Sequence, residues 1–205
     1  IRNRDVCEAE EIRAYLYGTK EQMHSPFLMK DLEKACDILL EKIREGKKIR
    51  IAGDYDCDGI NATYILLTAL KRLGGQADFV IPDRIHDGYG INEEIVKKAA
   101  AEGVDTLLTC DNGISASDQI RLAGRLGMTV IVTDHHDIPE QGIPPAAAVV
   151  NPKQQDCPYP FKGLCGAAVA FKLVQVMYEK RGIPAEEAYQ YLEFAALATV
   201  ADVME

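Results

Sequence analysis

The chain has 205 residues, 27% of them charged, with 32 acidic side chains against 23 basic ones, a formal net charge of −9 and a hydrophobic fraction of 47%. That length suits about one to one and a half domains, needs no disulfide framework to fold, and the hydrophobic fraction excludes wholesale disorder. The acid surplus excludes a generic nucleic-acid coat, whose nonspecific affinity comes from Lys and Arg neutralising phosphates, but not a nucleic-acid enzyme that gathers its acids at metal ions.

The chain opens on Ile1 rather than Met, so its start is expected to be an excised boundary. No signal-peptide pattern follows, and no apolar run reaches the roughly 18 residues of a membrane span. Six cysteines, Cys7, Cys36, Cys57, Cys110, Cys157 and Cys165, are scattered without a C-x-x-C pair. Several lie in apolar runs where reduced, buried thiols are expected, which points to a reducing, cytoplasmic compartment. Leu32, Cys36, Leu39 and Ile43 recur at helical spacing and Gly46 follows as a stop, giving a helical lead-in over 1–48.

The texture then changes. Short apolar or β-branched runs at 49–52, 79–81, 106–109, 129–133 and 147–150 alternate with helical patterns at 62–73, 92–102 and 115–126. Asn92 and Ser115 are candidate N-caps, and Gly74, Gly103 and Gly127 stand where the helices should stop. This alternation predicts an α/β core over 49–150, a parallel β-sheet flanked by helices on both faces with right-handed crossovers. Pro152, Pro158 and Pro160 break the rhythm over 151–162 and mark a loop or joint. A helical segment over 163–205 follows, with helices expected at 164–181 and 186–203 on either side of Gly182 and Pro184. The chain stops at Glu205, directly after an apolar helix with no capping signal, so the natural protein is expected to continue.

Three clusters fall at strand ends. Gly53-Asp54-Tyr55-Asp56-Cys57-Asp58-Gly59 places three carboxylates within five residues, a repulsive arrangement unless cations neutralise it. The run opens like an EF-hand loop, but the twelfth position is Ile65 rather than Glu and a strand precedes it, so that reading fails. Asp134-His135-His136-Asp137 pairs two imidazoles with acids, a donor set suited to a divalent ion such as Mn²⁺. Asp111, in Cys110-Asp111-Asn112-Gly113, would be an ordinary turn residue were it alone. In an open parallel sheet, however, ligands bind beyond the carboxyl ends of the strands, and all three clusters lie there. Asp202 ends an apolar stretch expected to be a buried helix; it either emerges into solvent or, if the helix points at the rim, meets a metal. Arg84, in a loop rich in turn residues, is either an ordinary polar side chain or a fork for a phosphate. His24 and His86 carry no constellation, and there is no P-loop, dinucleotide fingerprint, nucleophile elbow or zinc C-x-x-C pattern.

In order and spacing these residues resemble the DHH phosphoesterase superfamily, whose name reads off Asp134-His135-His136, and within it the single-strand-specific DNA exonucleases. The resemblance takes in the Gly53–Gly59 run, Arg84 with Asp87-Gly88-Tyr89-Gly90, Asp111-Asn112-Gly113 and the His pair with its acids. It continues through Val150-Asn151-Pro152-Lys153, Cys157-Pro158-Tyr159-Pro160-Phe161, Leu164-Cys165-Gly166 and Thr199-Val200-Ala201-Asp202-Val203. It implies that the whole of 1–205 is a DHH catalytic domain, with DHH-associated and OB-type domains lying C-terminal to it. Metal coordination is implied for Asp56, Asp58, Asp111, His135 and Asp202, assisted by Asp54, with Asp111 as the bridging ligand. His136 and Arg84 are implied to contact substrate phosphate, and Asp134 to serve catalysis by orienting a histidine.

The activity implied is two-metal hydrolysis with Mn²⁺ or Mg²⁺, 5′→3′ on single-stranded DNA, releasing 5′-mononucleotides in DNA repair and recombination. Implied partners are single-stranded DNA, the C-terminal domains, and a helicase or single-strand-binding protein, with no membrane. One departure stands out: many superfamily members carry a histidine ligand at the position occupied here by Ala52. The rivals are a DHH phosphodiesterase acting on oligoribonucleotides or cyclic dinucleotides, a pyrophosphatase, and a noncatalytic DHH-fold replication scaffold. A scaffold should have lost metal ligands, and here the acids and both histidines are present.

Overall fold

The computed structural model describes residues 6–204; the first five residues of the lead-in, with the expected boundary at Ile1, and the chain end at Glu205 lie outside the described residues. Five strands, β1 (Lys48–Ala52), β2 (Gln76–Val80), β3 (Thr106–Cys110), β4 (Thr129–Thr133) and β5 (Ala148–Val150), form one sheet in the order β2-β1-β3-β4-β5. Every pairing is parallel. Successive strand residues point to opposite faces, and here both faces are dry, which is why the strands read as continuous apolar runs.

One face carries Ile49, Ile51, Leu108, Cys110, Ile131, Ala148 and Val150. It packs against α2 (Leu32–Arg44), α3 (Cys57–Arg72) and α6 (Gly166–Lys180), through Leu39, Leu66 and Phe171 among others. The opposite face carries Ala52, Leu107, Val130, Val132 and Val149 under α4 (Glu93–Ala101) and α5 (Ser117–Arg125), which contribute Val96, Ala99, Ile120 and Ala123. The α/β class and the helices on both faces are as the alternation predicts.

The chain runs from β1 outward to β2, then crosses back over β1 to begin β3, so the direction of winding reverses between β1 and β3. The loops leaving those two strands diverge and open a crevice at their carboxyl ends. The acidic run follows β1 and Asp111 follows β3, so the topology brings the first and third clusters together before any side chain is considered.

Several boundaries differ from the sequence expectation. α3 begins at Cys57 rather than 62, because Asp56 is its N-cap, its carboxylate accepting the Gly59 N–H at 2.9 Å. Asn92 caps α4 as expected, accepting from Ile95 N at 2.8 Å, but Ser115 does not cap α5, which starts two residues later without a side-chain cap. β2 lies earlier than 79–81; it is an edge strand whose register is set by pairing Lys48 with Gln76, and its Phe79 is exposed. The lead-in contains α1 (Ala9–Tyr17), which buries nothing, and two short 3₁₀ turns before α2. The last expected helix is broken into α7 (Ala185–Tyr189) and α8 (Leu192–Ala201). α8 is not buried all round: Ala195 and Ala198 face the core, whereas Leu197 and Val200 are 56% and 78% exposed. Four of the six cysteines, Cys36, Cys110, Cys157 and Cys165, are buried thiols.

Leu66, on α3, is fully buried between the sheet and its covering helices. Leu66→Ala is expected to lower unfolding stability by about 2–5 kcal/mol, lost contacts and a residual cavity acting together; urea denaturation measures it.

Candidate metal centre

Asp54 and Asp58 are almost fully buried, at 1% exposure each, although they belong to the most acidic stretch of the chain. The run is therefore no solvated turn. Gly53 leaves β1, Asp54 turns inward, and Asp56 to Asp58 form the start of α3, where the positive end of the helix favours acids. Gly59 is required there: a Cβ on it would lie 2.6 Å from the Asp54 carbonyl oxygen. Asp58 reaches across to α6, its carboxylate accepting from the backbone N–H of Gly166 at 2.6 Å and of Ala167 at 2.7 Å.

Asp111 leaves β3 with φ of 61°, in the left-handed region, and is 2% exposed. Asn112 beside it donates from Nδ2 to the carbonyls of Ala52 at 3.0 Å and Cys110 at 2.9 Å, tying the ends of β1 and β3 together. α6 arrives directly against Asp111, so that a Cβ on Gly166 would stand 2.6 Å from the Asp111 Cβ.

His135 is buried, and its Nε2 lies 3.0 Å from Asp111 Oδ1, 3.5 Å from Asp58 Oδ2 and 3.6 Å from Asp202 Oδ2. None of these contacts has hydrogen-bond geometry, and Nε2, Nδ1 and Asp111 Oδ1 are all buried without a hydrogen-bond partner in the protein. Asp54 Oδ1 is in the same condition. Orphaned polar atoms of this kind are costly, and carboxylate oxygens converging on an imidazole nitrogen are the donor set of a divalent cation.

Three groups of ligand atoms lie within 4.8 Å of one another: Asp58, His135 and Asp202; Asp54, Asp56 and Asp111; and Asp111 with His135 and His136. Asp111 and His135 each belong to two of them, so the clusters form one continuous site. Asp202 follows α8 and points at the rim rather than into open solvent, which decides between its two expected fates. Ala52 packs into the second apolar cluster and offers no side-chain donor, and Asp54 stands in the group that lacks an imidazole. The residues present fit two divalent ions.

Asp134 is not among these ligand groups. Its carboxylate is held by four N–H groups, Oδ1 accepting from His135 N at 2.7 Å, His136 N at 3.1 Å and His136 Nδ1 at 2.7 Å, and Oδ2 from Ile114 N at 2.8 Å. Its place is that of a positioning residue rather than one that meets a reacting atom. His136 is 45% exposed and its Nε2 lies 3.2 Å from the Tyr89 hydroxyl, which donates to the Asp111 carbonyl at 2.9 Å. A cavity of about 270 Å³ opens beside it, lined by Tyr89, Ile114 and Gln119. Arg84 lies over the Tyr55 ring, 5.3 Å from its centroid, at the edge of the acidic run. Asp137 turns outward to Lys153, 2.9 Å away.

The electrostatics separate these groups. Burial, joined by the charges of Asp58 and Asp56, holds Asp111 far above the ordinary carboxylate range. Burial raises Asp58 despite the two α6 N–H groups, and raises Asp54. Burial and the neighbouring His136 lower His135, keeping a neutral imidazole. His136 is raised by its hydrogen bond to Asp134. Burial alone would raise Asp134, but the hydrogen bond and charge of His136 more than offset it and hold the carboxyl low.

Tyr89, Asn112 and Gly166 lie in motifs that carry the family resemblance, but the sequence assigns none of them a role. Tyr89 and Asn112 look like turn residues, and only the glycine at a helix start gave a local signal for Gly166.

Among known proteins, the model of the DHH family, N-terminal domain, matches residues 48–199. The Bacillus subtilis single-stranded-DNA-specific exonuclease RecJ is 40% identical over 96% of this chain, and its Escherichia coli counterpart 39% over 98%. The chain spans 24% and 36% of the lengths of those two relatives. A crystal structure of exonuclease RecJ bound to manganese superposes with a TM-score of 0.80 at 38% identity, covering 89% of this chain and 46% of that one. RecJ from Thermus thermophilus in complex with Mn²⁺ gives 0.73 at 38% identity, covering 85% of this chain and 24% of that one.

Two outcomes follow from the geometry. Gly166→Ala is expected to weaken Mn²⁺ binding about 10–100-fold, as loss of a ligand-supporting contact does, because the new methyl displaces Asp111; titration calorimetry measures it, and unchanged affinity would contradict the close approach. Asp54, Asp58 and Asp111 hold protons above the ordinary carboxylate range, and a cation must displace those protons. Mn²⁺ uptake should therefore release protons and tighten as pH rises from about 6 to 8, read from calorimetry in buffers of different ionisation enthalpy.

Proposed function

The chain belongs to the DHH family, and from that premise we propose that it is the metal-dependent catalytic part of a DNA exonuclease that digests single strands from 5′ to 3′ and releases 5′-mononucleotides. The observation that carries the reading is the set of ligand groups sharing Asp111 and His135 at the β1/β3 switch point. It is supported by 39–40% identity to the RecJ exonucleases across nearly the whole chain. Because the chain spans only part of those relatives, activity, substrate and partners are assigned by proposal.

Asp58, Asp111, His135 and Asp202 would hold one Mn²⁺ or Mg²⁺ ion and Asp54, Asp56 and Asp111 a second, with Asp111 as the shared ligand. Such a pair supplies an acidified water and the positive charge that in-line displacement at phosphorus requires. The protein's own groups do the rest. Asp134 raises the proton affinity of His136, and its exposed ring, when protonated, donates to a phosphate oxygen entering from the open side. Tyr89 fixes the direction of that donor by bridging His136 to the Asp111 carbonyl. Arg84, always charged, offers a forked donor to a phosphate at the edge of the acidic run.

The net charge of −9 makes this chain a poor holder of a polyanion. Grip on the strand is therefore assigned to further domains of the longer protein, of the DHH-associated and OB type, by base stacking and backbone contacts. A helicase or single-strand-binding protein is the partner that would deliver a single strand. No helix of the described residues is long and apolar enough to cross a membrane, and the buried thiols suit a reducing cytoplasm. A scaffold role finds no support, since each candidate ligand is present.

Asp111→Asn keeps the shape and removes the shared charge. It is expected to abolish Mn²⁺-dependent digestion of single strands labelled at the 5′ or 3′ end, with the fold unchanged by circular dichroism. Activity near that of the unmodified protein would sink the shared-ligand assignment, and label released first from the 3′ end would sink the polarity.

A further inference from the structure

The helix that caps Asp58 also carries a buried polar pair that the metal centre does not use. Lys172 and Gln175 lie on α6 about 9 and 13 Å along the axis from Gly166. Lys172 is 4% exposed. Its Nζ donates to the His24 carbonyl at 2.8 Å, a neutral partner that occupies one of three N–H donors. The rings of Phe171 and Tyr159 stand 5.9 and 6.0 Å from the ammonium, and no carboxylate pairs with it among the described residues. Burial alone lowers it to about 8. A buried cation without a counter-charge is costly unless something anionic meets it.

Three residues on, and therefore on the same helical face, the buried Gln175 Oε1 has no hydrogen-bond partner in the protein. Both side chains line a cavity of about 560 Å³, roughly twice the volume of the one beside His136. Met23 and Tyr189 give it apolar and aromatic walls, and Glu179 stands one further turn along α6. Along α6 the lining runs from a cation through an amide oxygen to a carboxylate, and Lys20 adds a second cation over the Tyr189 ring, 4.6 Å from its centroid. The volume is that of a pocket for a small organic molecule.

We propose that this cavity is a second ligand site, taking a planar ring compound that carries an anionic oxygen at one end and an amino group at the other. The anion meets Lys172, the amino group meets Gln175 Oε1 and Glu179, and the ring packs against Tyr189 and Met23. A phosphate or a carboxylate supplies the anion equally well, so a nucleoside monophosphate and an aminobenzoate share the chemistry. None of these residues belongs to the metal cluster, and the assignment is independent of the hydrolytic reading.

The test is a titration of the protein, isotope-labelled at Lys, Gln and His side chains and kept metal-free with chelator, with dAMP and separately with 4-aminobenzoate up to about 5 mM, the range of weak affinity. The expected result is a saturable shift of the Lys172 ammonium and Gln175 amide signals with at least one probe, a rise in the Lys172 titration midpoint, and no shift at His135 or His136. Response to dAMP alone assigns a phosphate ligand, response to 4-aminobenzoate alone a carboxylate. Lys172→Met should weaken binding about tenfold or more and Gln175→Leu several-fold, the second variant deciding the matter if the first does not fold. Absence of a saturable shift at Lys172 with either probe, or binding undiminished in the variants, overturns the proposal.

Discussion

The Asp58 carboxylate accepts the leading N–H groups of α6, and the rest of the site is arranged around that contact. A carboxylate on the first turn of one helix is met by the positive end of another, so two helix termini converge on a buried negative charge. The contact also brings α6 so close to Asp111 that only glycine fits at position 166. Helix packing therefore sets the spacing of the acids: α3 and α6 are held together by the larger apolar cluster, with Leu66 and Phe171 inside it. The two N–H groups do not suffice to neutralise Asp58, whose carboxyl remains raised. What the fold leaves without a positive partner is the carboxylate cluster of Asp58, Asp111 and Asp202 around His135.

The sequence made the sheet legible because buried parallel strands are continuous apolar runs and the turns between them end in glycine or begin with a cap such as Asn92. It misplaced features whose cause lies elsewhere in the chain. The start of α3 looked like a loop because three acids in five residues oppose helix formation locally; the α6 N–H groups that offset this are about a hundred residues away. The apolar composition of α8 predicts burial, yet one face lies open among the described residues. Asp54, Asp56, Asp58, Asp111 and the His135–His136 pair were legible as a site because strand ends are where open sheets bind ligands. Asn112 and Gly166 were not, since a bond between two strand ends and a missing Cβ have no periodicity. Asp134 was expected to serve catalysis by orienting a histidine, and its 2.7 Å contact to the His136 ring places it where it can do so.

The two adjacent histidines show how one turn provides opposite chemistries. His135 points into the carboxylate cluster, where burial and its charged neighbour keep it neutral with a lone pair to share. His136 points out, where its hydrogen bond to Asp134 raises its affinity for a proton. A single buried carboxylate positions both, because Asp134 binds the backbone N–H of each histidine and the ring of only the second. Each ring owes its state to its place, so the turn must hold its register for the pair to differ. The four N–H contacts of Asp134, including that to Ile114 N, hold that register. The acid is thus essential to the arrangement without joining it, and the charge it favours on His136 in turn lowers the His135 affinity for protons.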